Sequence, residues 1–318
     1  MNCQTDCQTE RQTPKRVLLI VFSGTRNTLL VAEMFSEHFR KMNIPADIFD
    51  ITGTETKPPL DGYDVIGLGY PIYAFNTPLF FLRYVKKLAL RDKKVFIFKT
   101  SGEPTFFNKA SSFSLIKILK NCAVLGDYHF LMPYNIIFRF PDNLIKQMYQ
   151  YAVKYSGLAA ANIINGSVSF VKYNLFHWFV SFIFKIQRLG FLNGKFYGVK
   201  KEKCTKCLIC LRGCPAGNIT LRRDVLHFGF KCQMCMRCSF FCPADAMIIG
   251  FLQLWKVNGP FRFKQLAADE SLDGKFINEH TRGLYRVFIP YFKSLDQLFA
   301  LRIPGEGIQE QFHKPVPV

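Results

Sequence analysis

Cys204-Thr-Lys-Cys207-Leu-Ile-Cys210-Leu-Arg-Gly-Cys214-Pro215 returns 28 residues later as Cys232-Gln-Met-Cys235-Met-Arg-Cys238-Ser-Phe-Phe-Cys242-Pro243. Four thiolates converging on a small inorganic core need this kind of dense spacing, and C-x2-C-x2-C-x3-C-P wraps three ligands around one cubane while sending the fourth to its neighbour. One [4Fe–4S] cluster is therefore expected on Cys204, Cys207, Cys210 and the distant Cys242, and a second on Cys232, Cys235, Cys238 and the distant Cys214. Ala216 matches Ala244 at the same offset, so the segment is a tandem repeat with approximate two-fold symmetry. A pair of zinc ribbons would share the C-x2-C element but leaves the third and fourth cysteines of each run unexplained.

The front of the chain has a different signal. Arg16-Val-Leu-Leu-Ile-Val-Phe22 is a continuous apolar run of strand length, as a central parallel strand buried on both faces requires. Ser23-Gly24-Thr25-Arg26-Asn27-Thr28 follows, and the next apolar positions, Val31, Phe35 and Phe39, recur at helical spacing. Strand, hydroxyl-rich turn and helix start together form an anion cradle: unpaired amides and the positive end of the helix dipole favour a phosphate, and the hydroxyls add donors. No Walker lysine is present, which argues against a nucleoside triphosphate.

Five of the six turn residues match the S-G-T-G-N-T run of the flavodoxins, and the chain resembles that family here. The likeness implies a doubly wound α/β domain over residues 16–165 with FMN phosphate on Ser23, Gly24, Thr25, Arg26, Asn27 and Thr28. Arg26 stands where the family has glycine, either clamping the phosphate or crowding the loop. Further strands are expected at Val65–Gly69, Val95–Phe98 and Tyr128–Met132, with helices near 78–90 and 107–121. In such sheets ligands sit beyond the carboxyl ends of strands. That rule and the resemblance place Pro71, Ile72, Tyr73, Asn76, Thr100, Ser101 and Gly102 beside the flavin ring, with Tyr73 and Phe75 as candidate stacking partners. Cys122 and His129 are expected in the core. Gly67-Leu-Gly69 is followed by Tyr70-Pro71, so no dinucleotide fingerprint forms and direct NAD(P)H use is unsupported.

From Asn143 to Lys201 there is no Asp or Glu, while eight Lys or Arg residues occur and aromatics cluster between Phe170 and Phe184. This stretch reads either as a basic aromatic connector, residues 166–196, or as a surface for an anionic membrane. Lys172 and Lys185 bracket too few residues for a bilayer span. Residues 1–15 form a polar tail without an apolar signal region, and 251–318 form an extension whose aromatic run at 283–292 suggests docking without indicating a role.

The chain has 318 residues and a formal charge of +19, and eight of its 11 cysteines lie in the two runs. That usage suits a reducing, cytoplasmic setting, with membrane association as an added option. Basic residues also outnumber acidic ones around the cysteines, which suits an acidic redox partner and favours the more negative reduced cluster. Cluster potentials above those of an acidic two-cluster ferredoxin, measured side by side by protein-film voltammetry, are the expected consequence. No nucleic-acid module is recognised.

The cysteine repeat resembles the bacterial two-cluster ferredoxins, which implies a small α+β domain over residues 197–250, and the order of domains resembles the flavodoxin–ferredoxin fusion electron-transfer proteins of anaerobic bacteria and archaea. The resemblance implies electron transfer between two [4Fe–4S] clusters and FMN, linking a ferredoxin-type carrier to a flavin-linked acceptor. Two alternatives stay open: an FMN-dependent reductase of a small substrate bound near Tyr73, and a ferredoxin carried on a flavin-free docking domain. No catalytic residue is assigned, and Glu103 reads as a loop carboxylate.

Overall fold

In a computed structural model, residues 14–54, 56–167 and 175–301 are described. The expected tail up to residue 13, with Cys3 and Cys7, lies outside them, as do 168–174 of the aromatic stretch and 302–318.

β1 (Val17–Val21), α1 (Asn27–Lys41), β2 (Ala46–Asp50), β3 (Val65–Pro71), α2 (Leu79–Lys86), β4 (Lys94–Ser101), α3 (Phe113–Ile118) and β5 (Ala123–Leu131) build the front half. The five strands are all parallel in the order β2-β1-β3-β4-β5, which is the doubly wound order of the flavodoxin-like fold. Period-two alternation divides the core. Val17, Leu19, Val21, Phe96 and Phe98 face α1 and the long α4 (Asp142–Ile164), while Leu18, Ile20, Ile66, Leu68 and Ile97 face α2 and α3. Gly67 and Gly69 serve this packing: a Cβ on either would run into the ring of Phe96 or Phe98. Their spacing is thus a steric requirement of the core and has nothing to do with phosphate.

The second half continues with α5 (Leu175–Ile183), α6 (Gly190–Lys195), β6 (Tyr197–Val199), α7 (Ile209–Arg212), β7 (Ile219–Arg222), β8 (Val225–Phe228), α8 (Arg237–Phe240) and β9 (Met247–Ile249). β6 pairs antiparallel with β9, and β7 with β8, so the first strand of each repeat pairs with the last strand of the other. The 28-residue offset holds in the backbone as well. Lys206, Leu208 and Gly217 take φ of 53°, 58° and 56°, and Met234, Met236 and Asp245 take 52°, 59° and 48°.

α9 (Phe263–Ala268) and α10 (Ile289–Ala300) belong to the C-terminal extension, which makes a third core. Phe261, Ile277, Phe288 and Phe292 pack with Leu131, Leu144, Ile145 and Met148 of the front half and with Phe240 of the cysteine-rich half. The extension therefore straps the two halves together. On the edge strand β5, the Tyr291 hydroxyl accepts from the Leu131 amide at 3.2 Å and donates to the His129 carbonyl at 2.9 Å.

Candidate functional site

The eight cysteines of the two runs gather in two sets. Cys204, Cys207, Cys210 and Cys242 line one pocket, and Cys214, Cys232, Cys235 and Cys238 line another. In each, three ligands come from one run and the fourth from the other. All eight thiols are free. The left-handed residues between them curl the backbone so that amides turn toward sulfur. The amides of Lys206 and Met234 each donate to Sγ of Cys204 and Cys232 at 3.4 Å, and those of Asn218 and Ala246 to Sγ of Cys214 and Cys242 at 3.3 and 3.2 Å. Positive φ at non-glycine positions is uncommon, and its repetition at matched sites marks a geometry imposed by the site.

Among the described residues no His, Cys, Asp or Glu group of three or more is placed to hold a metal ion. Tetrahedral zinc, with Zn–S of about 2.3 Å, would draw its four thiolates tightly around one atom. A cubane is larger and sets its ligands further apart, and the soft, all-thiol donor sets around two walled spaces fit that group. Burial pushes the Cys235 thiol up to about 12 and those of Cys232 and Cys238 upward as well, so these sulfurs stay protonated unless a cation compensates the buried charge.

The hydroxyl-rich turn lies at the carboxyl edge of the sheet. Among the described residues the amides from Gly24 to Thr28 find no acceptor; the first helical bond of this turn runs from Leu30 N–H to the Arg26 carbonyl at 2.8 Å. These free donors fit an anion. Their side chains are otherwise engaged: Asn27 Nδ2 donates to the Pro133 carbonyl at 2.7 Å, Asn135 Nδ2 to Thr25 Oγ1 at 3.2 Å, and the Thr28 and Thr100 hydroxyls share a bond of 2.8 Å. Ser23, Thr25, Asn27 and Thr28 are buried.

Arg26 sits at the start of α1. Its backbone takes φ 72°, the conformation for which glycine is the easy choice, and its exposed guanidinium pairs with Glu33 at 3.1 Å on the outer face of α1. The adjoining loops are covered too. Asn76 exchanges hydrogen bonds with Ser181 of α5, at 3.2 Å to its carbonyl and 2.7 Å from its hydroxyl, and Phe75 packs on Phe107 and Phe184. Ser101 bonds to His129 at 2.8 Å, and Gly102 lies under the Tyr134 ring. The Tyr134 hydroxyl donates to Glu103 at 3.0 Å, whose carboxyl burial pushes upward. Pro71, Ile72 and Thr100 stay at the strand ends, and Tyr73 turns inward toward Cys235.

Sequence reasoning missed Pro133 and Asn135, which follow β5 at the same sheet edge, and Ser181; the first two were within reach of the rule that ligands gather beyond strand carboxyl ends. Cys122 is half-buried with its thiol on the Leu90 carbonyl at 3.0 Å, and the enclosed His129 ring is held far below the usual imidazole range, to about 3, by burial and then by Lys99.

No protein-family model matches the chain, and no curated protein matches it. Solved structures do. Oxidised flavodoxin 1 from Bacillus cereus is 19% identical, with 47% of this chain and 97% of that one covered at a TM-score of 0.35. A flavodoxin from Streptococcus pneumonia TIGR4 is 14% identical over 46% and 97%, also at 0.35. Rubredoxin oxygen:oxidoreductase from the anaerobe Desulfovibrio gigas is 13% identical over 49% and 38%, at 0.34. Likeness at this level decides neither cofactor nor reaction for this chain.

Proposed function

We propose that the chain is an electron-transfer protein carrying two [4Fe–4S] clusters, which works with FMN at the sheet edge and with acidic redox partner proteins. The observation that carries this reading is the division of eight cysteines into two sets of four, each completed from the opposite repeat. When bound, the clusters supply one-electron steps and FMN one- or two-electron steps. Cys204, Cys207, Cys210 and Cys242 would hold one cluster, and Cys214, Cys232, Cys235 and Cys238 the other. The free amides of residues 24 to 28 would take the flavin phosphate, with Pro71 to Tyr73, Asn76 and Thr100 to Gly102 around the ring. No side chain is assigned to acid–base chemistry.

Burial of the turn and of Asn76 and Thr100 favours a second reading, in which the front domain is flavin-free and serves as a docking scaffold. Cofactor counting on anaerobically purified chain separates the two. About eight irons with one FMN per chain supports the first reading, and about eight irons without flavin the second. Protein without iron or sulfide sinks both.

The basic aromatic stretch supplies a partner surface. Trp178, Phe179, Phe182 and Ile183 of α5 are exposed, as are Phe191, Leu192 and Phe196, and Phe196 meets exposed Phe251 at 4.7 Å beside Leu254, which is 95% exposed. Exposed apolar area on this scale marks an interaction site, and the acid-free run from 143 to 201 favours an anionic bilayer surface. No helix among the described residues is long and apolar enough to cross a membrane. The chain is expected to float with phosphatidylglycerol-containing vesicles at low salt, to release at high salt, and to bind more weakly as Leu254→Asp. Absence of binding to such vesicles ends this reading.

A further inference from the structure

At the carboxyl edge of the α/β sheet, the loops that carry Gly24 and Tyr73 meet the cysteine-rich half of the same chain. Cys235 shares one apolar cluster with Ile72 and Tyr73, and a Cβ built on Gly24 would run into the Cys235 carbonyl oxygen. Arg237 fastens the contact by donating to the Gly24 carbonyl at 3.1 Å. The Tyr73 hydroxyl is buried and has no hydrogen-bond partner among the described residues. Such a group is costly unless an acceptor meets it.

We propose that the front domain backs a cluster of its own chain: Gly24 and Tyr73 pack behind Cys235 of the set Cys214, Cys232, Cys235 and Cys238, and Tyr73 donates its hydroxyl hydrogen to a sulfur of the group that set would hold. The inference rests on the iron–sulfur reading above and is independent of flavin. It makes the two clusters unequal. The set containing Cys207 opens to solvent, since that cysteine is exposed, whereas the set containing Cys235 lies against the sheet domain. A hydrogen bond to sulfur stabilises the more negative reduced state and raises the potential of that cluster alone.

The test is an EPR-monitored redox titration of the full anaerobic chain, wild type against Tyr73→Phe, with iron counted in both. Tyr73→Phe keeps the ring and removes the donor. One potential is expected to fall while the other stays, and the signal that moves should persist in a Cys207→Ser background. Gly24→Ala, which forces the segment away from the sheet, should move the same signal and speed loss of its iron to a chelator. Unchanged potentials in both variants, or equal shifts of both clusters, overturn the proposal. Wild-type protein without clusters would instead overturn the reading on which it rests.

Discussion

Replacing Cys214 by alanine is expected to destroy the cluster of the other repeat. Iron should fall from about eight to about four per chain, and native alkylation followed by peptide mapping should find Cys232, Cys235 and Cys238 reactive while Cys204, Cys207, Cys210 and Cys242 stay protected. Cys242→Ala should give the mirror result. If each run served its own cluster, Cys204, Cys207 and Cys210 would become reactive while Cys232, Cys235, Cys238 and Cys242 stayed protected, and that outcome would refute the pairing. The double variant is expected to lose both clusters and the fold of 197–249. Its own core is small: Tyr197, Ile219, Phe228, Met236, Met247 and Ile249 are the buried apolar residues that cluster there. So little apolar burial would leave stability dependent on the proposed clusters, as metal binding does in small metallo-domains.

Lys99→Met is expected to cost about 3–5 kcal/mol, a large share of the roughly 5–15 kcal/mol that holds a typical domain. The Lys99 ammonium pairs with Asp127 at 2.8 Å, with side-chain exposures of 2% and 3%, and donates to Ser112 at 2.8 Å. Burial draws the lysine pKa down while Asp127 opposes the shift. Removing the cation strands a carboxylate inside the sheet, whereas Lys99→Met with Asp127→Leu removes both charges and should recover most of the loss. Urea unfolding followed by far-UV circular dichroism measures both variants. A single variant as stable as wild type would show that the charge is solvated or neutral.

The cysteine sets were legible because ligand spacing is dictated by chemistry and survives without knowledge of the fold. β1 and its turn were legible for the related reason that a doubly buried strand must be apolar throughout. β2, Ala-Asp-Ile-Phe-Asp, escaped notice because an edge strand is half wet and mixes polar with apolar residues. The helix expected at 107–121 begins instead as a 3₁₀ turn over Phe106–Ser112, because Asn108 and Ser111 bond locally and compete with helical pairing. β5 starts at Ala123, earlier than its apolar residues suggest, and its register shifts opposite Val95 and Phe96. The contact of Cys235 with Gly24 joins residues far apart in sequence and follows from shape alone, so no local pattern announces it.

The Tyr291 hydroxyl on β5 has a practical consequence. A terminal strand with free amides and carbonyls is a template for strand addition by a second molecule, and here one phenol from α10 occupies two of those groups. A chain shortened to end at residue 250 would keep every proposed cluster ligand yet uncover that strand and the apolar flank of α4. It is expected to self-associate into insoluble material, so any shortened form of this chain has to retain the aromatic extension as its solubility device.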